Sequence, residues 1–467
     1  MRPKIAIFGG SFNPPGTHHR AVAEALVPHF DKILVVPCGP RPDKQATNDV
    51  EPWHRAALAD IAFRDIPKVE VDLFDLENAT FTTNDALEAR YAHLGDIWHV
   101  IGSDLSKGGG RQQSAIHLYW DGGHEMWHKL NFCVIAREGY EMEPGDLSPK
   151  SQLIRLPPQI GRASAEIREV IFRRQPYLDL VTPEVAAYIE RYGLYRGRIP
   201  ARRTRWQTGE QPRLLIFLDE RNPRAVEMAN TYRHWEDREN PNAVLVLGGD
   251  GTMLRAIRDH WRLRIPFIGV NQGHLGFLLN EASALPAAAL PKTDFIIRLM
   301  PMLYIETEAP DGTRQNDLAF NDAWIERSTS QSAWLEVEVN GQIRIPKLVA
   351  DGALVCTAAG STAYARSMGV SPLLADTPGW VLAGSNVMSP SGWKSALLAP
   401  EANIILRSVG GEKRPLATYV GGRPLGPAVT FHARQSRIAT TELVFAGQHD
   451  MAEKIANMQF PQGNALL

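Results

Sequence analysis

Cysteine is scarce. The 467 residues hold three, Cys38, Cys133 and Cys356, far apart and in no CxxC pair. That argues against a disulfide framework and a cysteine zinc site, and it fits a reducing cytoplasm. Long apolar runs are also missing. None approaches the ~18 residues of a membrane span, and the first run, residues 5–8, ends at Gly9-Gly10, too soon for a signal-peptide core. Charge of one sign is not in excess. Fifty Lys+Arg against 52 Asp+Glu give a formal net charge of -2, so nothing marks a polyanion as the main partner. There is no internal repeat. What remains is an ordinary globular composition, 44% hydrophobic and 22% charged, in a chain long enough for about two to four domains.

Residues 5–195 carry short apolar runs, KIAIF, KILVVP, VEVDLF, DIWHVIG and FCVIA, with amphipathic segments between them. This is the βαβ rhythm of a parallel sheet. A Gly-rich interruption at 107–123 predicts a mobile loop. The basic stretch RGRIPARRTRWQTGEQP, 196–212, lacks an apolar period and predicts a solvated linker, with a phosphate-binding arm as the functional alternative. The rhythm restarts at Arg213 with LLIFLDE, AVLVLGGDGT and IPFIGVNQGHLGFL. From about Phe295 the runs FIIRLMPMLYIETEA, LAFNDAWIER, AWLEVEVNG and DGALVCTA predict strands joined by turns.

The sharpest signal is LVLGGDGTMLRAI, 245–257. A buried strand ends in glycines and a helix starts at once, so the backbone can approach a phosphate and offer it unpaired N–H groups. A carboxylate in such a loop would repel phosphate. Asp250 therefore has another task, such as holding Mg²⁺ or accepting a proton from a hydroxyl; the bland reading is a helix cap. GVNQGHLGFL (269–278), NDAWIER (321–327) and DGALVCTAAGSTAYARS (351–367) follow in order. Together these motifs resemble the NAD kinase family over about residues 214–445.

That resemblance implies transfer of the ATP γ-phosphate to the 2′-hydroxyl of the adenosine ribose of NAD, with Mg²⁺ neutralising charge. Asp250 would be the base. Gly249, Gly251 and Thr252 would line the phosphate loop, and Asn321 and Asp322 would hold NAD ribose hydroxyls. Asp351 would sit near the nicotinamide, and Thr362, Ala363, Tyr364 and Ser367 would contact the dinucleotide. Two departures stand out: Asn321-Asp322 where the family has NE, and TAAGSTAY, with Ala358 and Ala359, where it has TPTGSTAY.

The N-terminal half has its own ordered set: GGSFNPPGTHHRAVAEAL (9–26), VPCGPRPDK (36–44), ATFTTNDAL (79–87), HVIGSDL (99–105), ASAEIREV (163–170) and YLDLVTPEVAAYIERYGLY (177–195). This set resembles the nicotinamide/nicotinate mononucleotide adenylyltransferases. The resemblance implies attack of a mononucleotide 5′-phosphate on the α-phosphorus of ATP, with charge neutralised and the attack aligned. Gly10, Ser11 and Phe12 would form the nucleotide-binding turn. His19 would stabilise the ATP phosphates, and Ser164 and Arg168 would grip them. Lys44 would take the mononucleotide phosphate. Gly102 and Asp104 would face the adenosine side, and Thr82 and Asn84 the mononucleotide base. Here the family's first turn histidine or threonine is Gly16, and its serine/threonine run is Ala163-Ser164-Ala165. Each lost contact costs ~1–3 kcal/mol, about tenfold to a hundredfold or more in rate. His18 can fold its imidazole into the gap at Gly16.

His124-Glu125-Met126-Trp127-His128 matches HExxH, the spacing of two zinc-facing imidazoles on a helix. It follows Asp121-Gly122-Gly123, where a helix is only beginning, and no motif supplies a third ligand. Trp127 falls where the adenylyltransferase resemblance places an aromatic near the site. No metal ligand is assigned.

The resulting expectation is an α/β protein. A doubly wound Rossmann-like nucleotidyltransferase domain spans 1–197 and a basic linker 198–212. An NAD-kinase-like α/β domain spans 213–297, with 426–467 returning to it, and a β-rich domain spans 298–425. The expected function is a fused two-step enzyme that makes NAD and then NADP from nicotinamide mononucleotide and ATP. Nicotinamide mononucleotide is favoured because NAD kinases act on the amide dinucleotide; nicotinate mononucleotide stays open. The other reading is an active kinase with a regulatory nucleotide-binding N-terminal domain. The partners expected are small molecules and further copies of the chain, in the cytoplasm, with no nucleic acid and no membrane.

Overall fold

The computed structural model describes residues 2–41, 49–137, 139–143, 145–156, 163–273, 276–375, 377–447 and 451–460. The chain divides into two compact units, Met1–Ala201 and Arg202–Leu467. No helix among the described residues is long and apolar enough to cross a membrane.

The first unit is built on six parallel strands, β1 (Lys4–Gly10), β2 (Lys32–Pro37), β3 (Val69–Val71), β4 (Asp96–Gly102), β5 (Asn131–Ile135) and β6 (Ser151–Ile154). Their order is β3-β2-β1-β4-β5-β6. A parallel sheet is covered by helices on both faces, so its strands read as continuous apolar runs; Ile5, Ala6, Ile7, Leu34, Val35 and Val134 are all buried. The order reverses between β1 and β4, which opens a crevice at the carboxyl ends of these strands, where ligands bind in open α/β sheets. The last helix, Pro183–Tyr192, has Pro at its first position, an Oγ1 cap from Thr182 and the left-handed Gly193 at its end, each suited to its place.

The 107–123 stretch differs from the mobile loop expected of it. It contains a 3-10 turn, Gly109–Arg111, and a helix, Ala115–Tyr119, capped by Ser114. The reason is packing: a Cβ on Gly109 would lie 2.2 Å from the Trp127 ring, and Trp127 sits in a core with Ile101, Ile116, Phe132 and Val134. Glycine there permits contact rather than motion.

In the second unit, β8 (Leu214–Leu218), β9 (Ala243–Gly248) and β10 (Phe267–Asn271) run parallel, and β11 (Asn280–Glu281) pairs with β10. The next strands are β12 (Phe295–Glu308), β13 (Arg314–Ala319), β14 (Asp322–Arg327), β15 (Ala333–Val339), β16 (Gln342–Ala350) and β17 (Gly352–Cys356). Then come β18 (Trp380–Ser385), β19 (Ser395–Leu398), β20 (Asn403–Ser408), β21 (Leu416–Val420), β22 (Arg423–Pro427) and the 17-residue β23 (Thr430–Ala446). One sheet runs β16-β15-β20-β23-β10-β9-β8, with β12 paired to β23 and β13; a second runs β19-β18-β17-β14-β21-β22. Their facing sides bury Leu335, Val355, Trp380 and Phe431.

β12 and β23 run through both the α/β part and the β-rich part. The border expected at 297/298 thus falls inside β12, because β23 is long enough to pair with β10 at one end and β20 at the other. The expected linker is ordered in part too. Arg203–Trp206 forms β7, antiparallel to β12. The edge of β12 offers it main-chain partners, and Trp206 packs on Phe295 at 5.9 Å between ring centroids.

Candidate active sites

In the first unit the crevice is a cavity of about 1660 Å³. Gly9 and Gly10 at the end of β1 face Gly102 and Asp104 at the end of β4 across it, with Ser11, His18 and His19 from the turn and the helix Thr17–Leu26. Thr82 and Asn84 come from the segment beyond β3, and Ser164 and Arg168 from the helix Ser164–Phe172. These candidates are brought together. Lys44 lies outside the described residues. Phe12 is buried beneath the cavity rather than lining it, edge-on to Phe8 and Phe63 at 5.2 and 5.4 Å. Trp127 is likewise a core residue; the aromatics that line the cavity are Phe8, Phe81, Tyr119 and Trp120.

The turn is held by groups from distant sequence. Ser164 Oγ donates to the Pro14 carbonyl at 2.9 Å, and Arg168 Nη1 to the Asn13 carbonyl at 2.6 Å. Tyr195 Oη donates to Asn13 Oδ1 at 2.7 Å. Thus the 163–170 motif and the C-terminal tail of the unit clamp the turn of the first motif. The segment carrying Thr82 is fixed by buried Asp75, whose Oδ2 accepts the Thr82 N–H at 3.0 Å.

His19 Nδ1 accepts the Gly16 N–H at 3.0 Å, which fixes the neutral ring as the tautomer with its proton on Nε2. Burial, then the neighbouring His18 and Arg137, holds its pKa well below the usual value. Burial and Arg137 bring His18 down to about 4. Both rings are therefore neutral donors or acceptors near pH 7, with centroids 3.8 Å apart. A Cβ on Gly16 would lie 2.7 Å from His18 Nδ1. The His18 ring occupies the space that a side chain at position 16 would enter.

Sequence reading missed three cationic wall residues. Arg137 pairs with Asp104 at 3.1 Å, Arg41 lies over the Phe81 ring at 4.7 Å, and Arg155 also lines the cavity. Arg137 and Arg155 follow the carboxyl ends of β5 and β6; that placement was the available signal.

In the second unit Gly249 caps the helix Asp250–His260 at the end of β9. Gly248 must be glycine, since a Cβ there would lie 2.5 Å from Thr252 Oγ1. Gly251 and buried Thr252 open the helix. The Asp250 carboxylate is not turned to solvent: its Oδ2 accepts the Phe277 N–H and its Oδ1 the Leu278 N–H, both at 3.0 Å. Burial pushes its carboxyl up, against those amides and the positive Lys454. His274 and Leu275 of the same motif lie outside the described residues.

Asn321 stands at the corner between β13 and β14. Its carbonyl accepts the Thr357 N–H at 2.8 Å, and a Cβ on Gly360 would lie 2.2 Å from that carbonyl. The loop after β17 is thereby seated on the Asn321-Asp322 corner. Among the described residues, buried Asn321 Oδ1 has no hydrogen-bond partner. Asp322 is buried opposite Cys356, and that burial raises it to about 6. Met253, Leu278, Phe320 and Ala359 share one core, which joins this corner to the Asp250 helix.

Thr362, Ala363, Tyr364 and Ser367 continue from Gly360. Tyr364 is 45% exposed and edge-on to Trp324 at 5.3 Å. Asp351 is not brought to this end. It immediately precedes β17, five residues from Cys356 of the Asp322–Cys356 pair, or about 17 Å along the chain. There Arg327 Nε and Asn386 Nδ2 donate to it at 2.6 and 2.7 Å and hold its carboxyl below the ordinary value.

Near the HExxH match, His117 and His124 have ring centroids 4.9 Å apart. Among the described residues no three His, Cys, Asp or Glu side chains stand together to hold a metal ion.

Two family models match the chain. Residues 217–289 match the ATP-NAD kinase N-terminal domain, and residues 7–170 match the cytidylyltransferase-like family. Among curated proteins, the NAD kinase of Rickettsia bellii is 34% identical over 224 residues, 48% of this chain and 88% of that protein. The NAD kinase of Cereibacter sphaeroides is 33% identical over 221 residues, 46% of this chain and 85% of that one. Among solved structures, yeast NADH kinase complexed with NADH matches at 17% identity and a TM-score of 0.45, over 55% of this chain and 91% of that one.

Proposed function

The chain belongs to the NAD kinase family through its C-terminal half, and from that premise we propose a two-step enzyme that first makes NAD from nicotinamide mononucleotide and ATP, then phosphorylates it to NADP. The nucleotidyltransferase-like N-terminal domain supplies the first step. The observation that carries this reading is the clamp of Ser164 and Arg168 onto the Asn13-Pro14 turn beside the cavity, because it assembles separated motifs at a nucleotide-type switch point.

In the first step an oxygen of the mononucleotide 5′-phosphate bonds to the α-phosphorus of ATP, the bond from that phosphorus to the β-phosphate breaks, and pyrophosphate leaves. Arg168 neutralises developing phosphate charge, and neutral His19 donates through Nε2. His18, in the space beside Gly16, adds a second imidazole to the same wall. Arg137, paired with Asp104, keeps the adenosine side in place.

In the second step the 2′-oxygen of the adenosine ribose bonds to the γ-phosphorus and ADP leaves. Asp250 takes the hydroxyl proton. Its burial raises its proton affinity toward that of a working base, and the two amides hold it in one orientation. Asn321 and Asp322 hold ribose hydroxyls, for which buried Asn321 Oδ1, without a hydrogen-bond partner among the described residues, offers an acceptor. Thr362, Ala363, Tyr364 and Ser367 flank the dinucleotide. Mg²⁺ fits as an ion carried with the ATP phosphates rather than in a cage of protein ligands, as the scattered carboxylates of the described residues require; bound there, it would neutralise charge on the phosphates.

The three buried free cysteines suit a cytoplasmic enzyme, and a homo-oligomer is part of the proposal. The test is product analysis over time with ATP, Mg²⁺ and either mononucleotide. NAD followed by NADP from the nicotinamide form is expected. NADP formed only from added NAD would leave a kinase with a regulatory N-terminal domain. Product from the nicotinate form alone would reassign the first substrate.

A further inference from the structure

The turn that holds Asp250 is gripped from its other side by a residue far away in sequence. Lys454 lies on the helix Met451–Gln459. Its Nζ donates to the Gly276 carbonyl at 2.8 Å and to the Leu279 carbonyl at 2.7 Å, and it stands 3.5 Å from Glu281 Oε1. Between those two carbonyls lie the Phe277 and Leu278 amides, which donate to Asp250. An ammonium has three donors and no acceptor; here two carbonyls and a carboxylate surround it. The Lys454 side chain is only 15% exposed, so this is not a casual surface pair.

We propose that Lys454 is a positioning residue for the kinase step: it fixes the 276–279 turn so that the turn's two amides aim the Asp250 carboxylate. This inference rests on the reading of Asp250 as the base. Among the described residues Lys454 contacts Gly276, Leu279 and Glu281, none of which is proposed to hold ATP or NAD, so its loss acts on turnover rather than on substrate affinity. A misplacement of about 1 Å at the reacting groups costs on the order of a hundredfold. The Lys454 charge also opposes the burial that pushes the Asp250 carboxyl up.

The test uses the full chain with ATP, Mg²⁺ and NAD. Lys454→Met keeps the length and removes the donors. It should lower kcat by about tenfold to a hundredfold while KM for NAD and ATP stays within about twofold. Lys454→Arg, which can still donate to both carbonyls, should recover most of the lost turnover. In an Asp250→Asn background, Lys454→Met should cost nothing further, since the two changes act through one group. If Lys454→Met does not fold, Lys454→Gln is judged by the same kcat and KM criterion. A wild-type kcat in the variant, equal losses in kcat and KM, or no rescue by arginine would each overturn the inference. An Asp250→Asn chain with undiminished kcat would instead sink the reading of Asp250 on which it rests.

Discussion

The two sites solve opposite electrostatic problems with the same device. In the N-terminal unit the key side chains, Ser164 and Arg168, donate to main-chain carbonyls of the turn, and two desolvated histidines stand neutral beside Arg137. In the C-terminal unit the key side chain, Asp250, accepts from main-chain amides of a turn, and burial lifts both Asp250 and Asp322. On the proposed function, one wall would receive negative charge and the other a proton. That is the division of labour expected when one site must tame a triphosphate and the other must activate a hydroxyl. In both cases a distant segment locks the glycine-rich turn, so neither turn is a self-sufficient motif.

The sharpest way to break this comparison is to cut the clamp of the first site. Arg168→Ala removes both a cation at the phosphates and the anchor on the Asn13 carbonyl. It should cost adenylyl transfer about a hundredfold to a thousandfold and leave phosphorylation of added NAD unchanged, as two separate product assays would show. A smaller effect should come from the histidine pair. Gly16→His places a Cβ 2.7 Å from His18 Nδ1 and should destabilise the chain by about 1–3 kcal/mol, read as a lower midpoint in thermal unfolding. Adding His18→Gly should relieve the overlap with His18 but not the contact with Ile167 Cδ1 at 2.9 Å, and so should recover part of the midpoint and preserve transfer. A double variant less stable than Gly16→His alone would show that His18 does not fill that space.

The smallest shift concerns Asp322. Its folded pKa, about 6, lies above the unfolded value, so the folded state binds the proton more tightly. Its charge therefore costs stability above pH 6, and that cost fades as pH falls toward 4. Asp322→Asn should gain at most about 2–3 kcal/mol at pH 8 and nothing near pH 4, while KM for NAD rises. Unfolding midpoints at the two pH values would check it; an equal gain at both would contradict the burial argument.

Much of this was legible in the sequence, but unevenly. The apolar runs of β1, β2, β4 and β5 reveal a buried parallel sheet because such strands need apolar residues on both faces. GGDGT and GSFNPPGTHH announce strand-to-helix turns because glycines after an apolar run and before a helix start mark a sharp turn at the end of a strand. The Gly-rich 107–123 stretch misled, since its Gly109 serves close packing against Trp127. RTRW in 203–206 gave no apolar signal because main-chain pairing with the edge of β12 supplies its order. Phe12 and Trp127 belong to motifs near the cavity yet pack into cores, a distinction that only three-dimensional packing settles. Arg137 and Lys454 escaped notice because no local pattern marks them. Their partners lie tens to more than a hundred residues away, and folding alone creates the contact.

The most direct test of the account is a time course of Asp250→Asn with ATP, Mg²⁺ and nicotinamide mononucleotide. The account predicts that NAD accumulates at the wild-type rate and that NADP fails to appear, with turnover of the second step down by about a thousandfold. NADP forming at the wild-type rate, or no NAD forming at all from a folded chain, would contradict the claim that two separable sites act in sequence on one polypeptide.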